Sequence, residues 1–322
     1  MTGWSDPVTV RFALAAIVAA AVGLGGWRRG ALSADGAVAA WLVGVATVGF
    51  GGWWWGVVVV AFFLSSSVLA ALPRPPGTPE AGPGTAGDRL PERSTAPSDR
   101  LDPVRTWEQV LANGGVPVAI AVLAGTGLTR LPDRMAHSIP SFVASLPESL
   151  LESLAGPGVA FVAFAGALAA ATADTWATEV GRFSRKPPRL LTTARVVAPG
   201  TSGAVSPIGT LASATGTILI ATFAAGVGAY DLIDFSGSAP RLWLALSAAG
   251  FVGSLADSLL GATIQATYIC PECGHSTEAR IHCARTPTHL VRGYHWLTND
   301  VVNGLTTLVG AIVAACMVAI AG

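Results

Sequence analysis

Eight apolar runs, roughly 8–26, 36–51, 53–72, 109–127, 156–177, 208–229, 241–264 and 300–321, punctuate this chain, and each is long enough to cross a hydrocarbon layer. Inside lipid every backbone amide must bond within its own segment or within a closed barrel, and runs of this length leave only helices. The chain is 52% hydrophobic and only 12% charged, against about 25% charged in an ordinary soluble domain. The expected fold is therefore an all-α polytopic membrane protein, a bundle of about eight transmembrane helices. The first run, Val8 to Gly26, is long enough to stay as a span instead of being removed as a signal peptide. Trp53-Trp54-Trp55 opens the third span as an aromatic belt.

Basic residues set the orientation. Of the 19 Lys and Arg residues, all but Arg11, Arg130, Arg134 and Arg241 lie on the side reached by the connections after spans one, three, five and seven. The positive-inside rule makes that side cytoplasmic and puts both the N- and C-termini outside. The expected location is integral to a prokaryotic plasma membrane, with the active face cytoplasmic. A formal net charge of zero gives no reason to expect a nucleic-acid partner. The bilayer itself is the expected partner.

No separable soluble domain is evident, so residues 1–322 read as a single integral membrane domain. Residues 73–106 are rich in Pro, Gly and charge and poor in apolar residues, which predicts a flexible cytoplasmic linker. The apolar spacing of Ser141 to Leu154, in the outside connection 128–155, suits a short amphipathic interfacial helix. Residues 265–299 form a cytoplasmic loop rich in Cys and His.

Four polar constellations gather on the cytoplasmic side. Asp174 and Glu179 close the fifth span in Ala173-Asp-Thr-Trp-Ala-Thr-Glu-Val-Gly181. A carboxylate at a bilayer is costly without a partner, a metal or water, so its default reading is a functional site. Asp174, Thr178 and Gly181 share one helix face, with Glu179 offset by about 100° from Thr178. The plain alternative is a pair of acids capping two helices. Next, Gly200-Thr-Ser-Gly-Ala-Val-Ser206 follows a basic stretch holding Arg182, Lys186 and Arg195. Gly200 and Gly203 can turn amides inward as an anion nest, and Thr201, Ser202 and Ser206 add hydroxyls. Ser206 as N-cap and Pro207 at N1 would aim the sixth helix's positive end at the same spot, although a turn with a cap explains the pattern too. No Walker sequence occurs, so this is not a P-loop.

The third constellation is Asp257-Ser258-Leu-Leu-Gly261, with Asp257, Gly261 and Gln265 on one face. The fourth is Asn299-Asp300-Val-Val-Asn303, where Asn299 can cap the last helix and Asp300 can answer its dipole. Cys270-x-x-Cys273-Gly, with Cys283 further on, has the shape of a zinc knuckle completed by His275, His282 or His289. The alternative is a set of reduced, unligated thiols. His282 and Cys283 are adjacent, so both can reach one metal only around a bent backbone. The isolated Cys316 reads as core packing.

These motifs resemble the DUF92/TMEM19 family of integral membrane proteins, which includes the plant phytyl-phosphate kinases of tocopherol biosynthesis. The matching pieces are Leu32-Ser-Ala-Asp-Gly-Ala, Gln109-Val-Leu-Ala-Asn113-Gly-Gly, Ala173 to Gly181, Pro188-Arg-Leu-Leu-Thr-Thr, Gly200 to Ser206, Asp257-Ser-Leu-Leu-Gly-Ala and Asn299 to Asn303. They cover nearly the whole chain in order. The resemblance implies transfer of a phosphoryl group from a nucleoside triphosphate, CTP being one candidate, to a phytyl- or geranylgeranyl-type prenyl monophosphate with Mg²⁺. It is also distantly similar to phosphatidate cytidylyltransferases, so a cytidylyltransferase is a rival reading. A carrier of an anionic lipid or a small phosphate is another, since carriers also place acids and helix ends inside a bundle. On the kinase reading Asp174 and Asp257 hold Mg²⁺ with Glu179 or Asp300. Arg182, Lys186 and Arg195 neutralise phosphates, and the Gly200–Ser206 turn cradles them. Asn113, Ser258, Asn299 and Asn303 complete the phosphate and nucleotide set. Cys270, Cys273, Cys283 and His282 are the candidate zinc ligands.

Overall fold

The computed structural model describes residues 7–73, 104–127, 157–228, 239–274 and 276–321. Most of the predicted linker (74–103) and the predicted interfacial helix lie outside the described residues, as does His275. The architecture is mostly helical. The helices are α1 (Val8–Arg28), α2 (Ala34–Ala46), α3 (Trp53–Ala70), α4 (Trp107–Thr126), α5 (Pro157–Gly181), α6 (Pro207–Gly228), α7 (Ala239–Thr263) and α8 (Asn299–Ala321). A π-helical stretch, Thr47–Gly51, extends α2, and with it all eight elements are long and apolar enough to cross a membrane. The wider turn leaves carbonyls off the regular ladder. One of them, Gly49 O, accepts Arg11 Nε (3.1 Å) and Nη2 (2.7 Å), so Arg11 has a partner within the span.

The helix α5 is the hub. It packs against α3, α4, α6, α7 and α8, and 78% of its span is buried, against 11% for α1. Small residues make this possible by letting backbones approach closely. A methyl added at Gly310 would come within 2.5 Å of Gly166 O, and one added at Gly253 within 2.5 Å of the Ala170 methyl. Gly181 and Gly209 form a similar crossing of α5 and α6. Phe161, Phe164 and Trp55 fill the core between α5 and α3.

The four connections after α1, α3, α5 and α7 meet at one end of the bundle. Arg105 N donates to Ala31 O (3.2 Å) and Ser33 N donates to Arg105 O (3.1 Å), joining the first connection to the second. The predicted linker therefore ends before Val104, because residues 104–106 are pinned in place. Arg182 Nη2 reaches back to Leu69 O and Leu72 O (both 2.9 Å), joining the third connection to the end of α3.

Strands occur only in these connections, among the described residues. β1 (Arg189–Leu190) pairs antiparallel with β2 (Ala204–Val205), with Arg189 opposite Val205. Between α7 and α8, β3 (Thr267–Ile269) sits centrally between β4 (Ser276–Thr277) and β7 (His289–Arg292), all antiparallel. β5 (Ile281–His282) and β6 (Thr286–Pro287) form a separate hairpin. An all-helical expectation overlooks these pieces, each too short to show a period of two. Two further expectations are corrected. Thr298, not Asn299, caps α8: Val301 N donates to Thr298 Oγ1 and Asn299 is already helical. Cys316 is exposed on the outer face of α8 instead of packing in the core.

Candidate active site

The acids come together from separate helices. Asp174, near the end of α5, and Asp257, on α7, lie within hydrogen-bonding reach of each other. Thr306 Oγ1, from α8, donates to Asp257 Oδ1 (3.0 Å). Two carboxylates in contact need a shared proton or a cation between them. Asp300, at the start of α8, is close enough to feel Glu108 in the first turn of α4, and Glu278 of the α7–α8 connection feels both Asp257 and Asp300. Four carboxylates thus face one region from α5, α7, α8 and a loop.

The Gly-rich turn seats directly on this group. Gly200 and Gly203 adopt positive φ (84° and 78°), closing a turn in which Thr201 N donates to Ala198 O (3.2 Å) and Ala204 N to Thr201 O (3.0 Å). Gly203 packs against the backbone of Ser258 and Ala262, and a methyl at Gly261 would lie 2.8 Å from Gly203 N. Only glycine fits on either side of that contact. Ser202 Oγ donates to Glu278 Oε1, and Gln265 Nε2 donates to the same oxygen (2.9 Å). The helix ends at Thr263, so Gln265 does not continue the expected helical face of Asp257 and Gly261; it reaches Glu278 from the turn that follows.

Glu278 keeps a solvent-accessible edge, but the surrounding protein dominates its chemistry. Loss of hydration raises its pKa, opposed by the Ser202 hydrogen bond and then reinforced by the charges of Asp257 and Asp300. Arg292 is the compensating cation. Its guanidinium donates to Gly261 O (2.8 Å), Ala262 O (3.2 Å) and Thr267 Oγ1 (3.0 Å), closing the end of α7.

Other expected residues are placed elsewhere. Glu179 points away from the Asp pair, bonding Arg182 Nη1 (2.8 Å) and lying beside Arg105. Arg182 is occupied by Glu179 and by the α3 carbonyls. Ser206 is buried as the N-cap of α6, its hydroxyl accepting Gly209 N (3.2 Å). Thr201 Oγ1 donates to Ala198 O. Lys186, Arg195 and Asn299 are exposed, and Ser258 and Asn303 are partly buried. Sequence reasoning missed Glu278, Arg292, Thr306 and Arg105. Glu278 carried one signal: it lies between the second and third cysteines, where a knuckle would display it.

A cavity of about 420 Å³ opens between α1, α2, α3 and α4, within the usual size range of ligand sites. Val43, Val57, Val60 and Leu168 are among its apolar lining, and Thr47, Arg105, Gln109 and Asn113 are among its polar members. Pro117 on α4 lacks the amide that would bond the Asn113 carbonyl in a regular helix, and both residues line the cavity. Burial lowers the pKa of Arg105, with Glu179 opposing the shift. The first turn of α4 connects both regions: Glu108 is next to Asp300 and Gln109 lines the cavity.

The sequence matches the family model described as integral membrane protein DUF92 over residues 17–311, and the chain belongs to that family. It is 38% identical over 170 residues to Protein PGR of Arabidopsis thaliana, covering 52% of this chain and 54% of the plant protein. It is 32% identical over 161 residues to a membrane protein of Methanocaldococcus jannaschii, covering 50% and 52%. Protein VTE6, chloroplastic, of Arabidopsis is 29% identical over 154 residues, covering 48% and 37%. The matches thus span about half the length of the first of these relatives and less of the last. No solved structure matches the chain.

Proposed function

We propose that the protein is a prenyl-phosphate kinase, converting phytyl or geranylgeranyl phosphate to the diphosphate with a nucleoside triphosphate at the cytoplasmic membrane face. The observation that carries this reading is the convergence of Asp174, Asp257, Asp300 and Glu278 beside a glycine turn, in a bundle that also holds an apolar cavity lined in part by Arg105, Gln109 and Asn113. The resemblance of the same motifs to a family that includes phytyl-phosphate kinases supplies the substrate class.

The donor set suits Mg²⁺, a hard cation that takes carboxylate oxygens and keeps several waters. Asp174 and Asp257 would hold it with Asp300, and when bound it neutralises charge on the transferring phosphoryl group. An oxygen of the prenyl phosphate attacks the γ-phosphorus, the bond from γ-phosphorus to the bridging β–γ oxygen breaks, and the nucleoside diphosphate leaves with that oxygen. The attacking phosphate is already ionised near neutral pH, so no side chain has to act as general base. The chain's task is positioning. The backbone amides of Gly200 and Ser202 would orient phosphate oxygens, since the Thr201 amide is already donated to Ala198 O. Arg105, Gln109 and Asn113 are polar members of the cavity lining, and its Val and Ala walls would take the isoprenoid tail.

The test incubates purified protein in detergent with phytyl phosphate, Mg²⁺ and γ-labelled nucleotide. Label in a prenyl diphosphate is the expected result. Label released as pyrophosphate indicates a cytidylyltransferase instead. No turnover, with substrate-dependent uptake into liposomes, indicates a carrier and overturns the reading.

A further inference from the structure

The connection between α7 and α8 has little core of its own. Tyr268, Cys270, Thr277 and Leu297 are buried, but Ile269, Ile281, Val291, Tyr294 and Trp296 are exposed. Strands of two to four residues with so few buried side chains do not hold one conformation unaided. Yet this segment presents Glu278 to Ser202 and Gln265 in a defined geometry.

The missing constraint lies at its root. Cys270 and Cys273 sit in the turn that follows β3, with Gly274 N donating to Cys270 O (2.9 Å) and Gly274 at φ 70°. The chain then runs through β4 and the Glu278 tip and returns in β5 to His282 and Cys283. Cys283 is one of two non-glycine residues with positive φ among those described, at 44°. That is the bend needed for neighbouring residues to aim at one point. The three sulfurs and a ring nitrogen of His282 all lie within 4.8 Å of one another. His282 Nδ1 is 3.4 Å from Cys273 Sγ and 3.3 Å from Cys283 Sγ. Bonds of ~2.0–2.3 Å at tetrahedral angles put zinc ligands ~3.5 Å apart. Three thiols cannot all be satisfied by disulfides, and all three are reduced here.

We propose that Cys270, Cys273, His282 Nδ1 and Cys283 hold one Zn²⁺, which fixes the root of the arm whose tip sets Glu278 beside the acid site. Three thiolates and an imidazole are a soft tetrahedral set, which selects zinc over Mg²⁺ or Ca²⁺. The thiol protons leave as the metal binds. With no open coordination position, the ion is structural. Around the knuckle, Thr286 Oγ1 donates to Glu272, tying the β5–β6 hairpin to the Cys270–Cys273 turn. Thr288 bonds Arg280 O and Ala279 O, so the returning strand also braces the tip. The zinc site holds irrespective of what reaction the acids perform.

Elemental analysis of the full-length protein, purified in detergent without chelator, tests the first half of this inference. About one zinc per chain is expected, and exchange for Co²⁺ should give thiolate charge-transfer and tetrahedral ligand-field bands. Cys273→Ser and Cys283→Ser should each leave less than ~0.2 zinc per chain, whereas His282→Cys, which restores four ligands, should retain it. That retention separates ligand loss from misfolding. Less than ~0.2 zinc in the wild type without a cobalt spectrum, or full zinc in a Cys273→Ser/Cys283→Ser double variant, overturns the site. The second half is read by trypsin: chelation should expose Arg280 and Arg285 to cleavage while the helices stay intact. Unchanged cleavage after metal loss overturns the positioning role.

Discussion

The two halves of the bundle use the same kind of helix for opposite ends. In the C-terminal half, α5 to α8, glycines at 166, 250, 253 and 310 bring the backbones close against alanine, glycine and threonine, and charged groups project from that packing. In the N-terminal half, α1 to α4, close glycine contacts such as Gly44 on Ala19 and Gly125 on Phe50 also occur, but a largely valine- and alanine-lined cavity remains between the helices. The buried share of each span follows, from 39% to 78% in the second half and from 11% to 33% in the first. Carboxylates that must face one another need a backbone that cannot yield, whereas an apolar tail needs volume and tolerates an approximate wall.

The largest effects should come from the rigid half's acids. Asp174→Asn and Asp257→Asn keep size, yet each should lower prenyl-phosphate kinase turnover by at least ~10²-fold if the carboxylates hold the charge that stabilises transfer. Activity assays at matched Mg²⁺ check this, and near-normal turnover in either variant removes that residue from the site.

A pair of glycines compares the packing directly. Gly310→Ala pushes a methyl against Gly166 O and should destabilise by ~1–3 kcal/mol, the usual penalty of overpacking. Gly115→Ala, with nothing within 4 Å of the added methyl, should be neutral or stabilising by up to ~1 kcal/mol. Thermal melts in one detergent decide it, and equal shifts would erase the contrast between the halves.

Filling the cavity should act on substrate selection without unfolding anything. Ala40→Leu projects into the cavity and should raise KM for a long-chain prenyl phosphate by ~10-fold or more while kcat and Tm stay close to wild type, given the usual worth of one to a few methylenes in an apolar pocket. An unchanged KM would remove the cavity from the tail's path.

The smallest effect concerns pH. Burial raises the pKa of Glu278 in the folded protein, so its protonated form is favoured there. Its contribution to stability is complete below the ordinary glutamate range and is lost as pH rises through the raised value. In Mg²⁺-free buffer, Glu278→Gln should therefore gain Tm relative to wild type as pH increases. A constant difference would mean that Glu278 is ordinary.

Long elements were legible in the sequence because lipid imposes one requirement along every span. The glycine turn and the bend between His282 and Cys283 also follow from local geometry, whereas Gln265 leaves the face of Asp257 and Gly261 because α7 ends at Thr263. Which acids would meet was not. Asp174 and Glu179 are five residues apart and look equivalent, but the crossing of α5 with α7 and α8 takes one and leaves the other to Arg182. Arg182 itself looked like a phosphate ligand, but the end of α3 needed a donor. Glu278 reaches the site only because a small ribbon folds back over α7, and no periodicity in two-residue strands announces that.

The pinned ends on either side of residues 74–103 have a consequence for chain continuity. Arg182 fastens the end of α3 to α5, and Arg105 fastens the entry of α4 to the α1–α2 turn. Each of these two anchors joins residues before position 74 to residues after position 103, so the two sides are held together by contacts made outside that stretch. Two polypeptides, one ending at residue 73 and the other starting at residue 104, carry all the docking surfaces needed to find each other when made in the same membrane. Cutting the chain within that stretch is expected to leave the described helices associated, and co-purification of the two fragments from one membrane would check it.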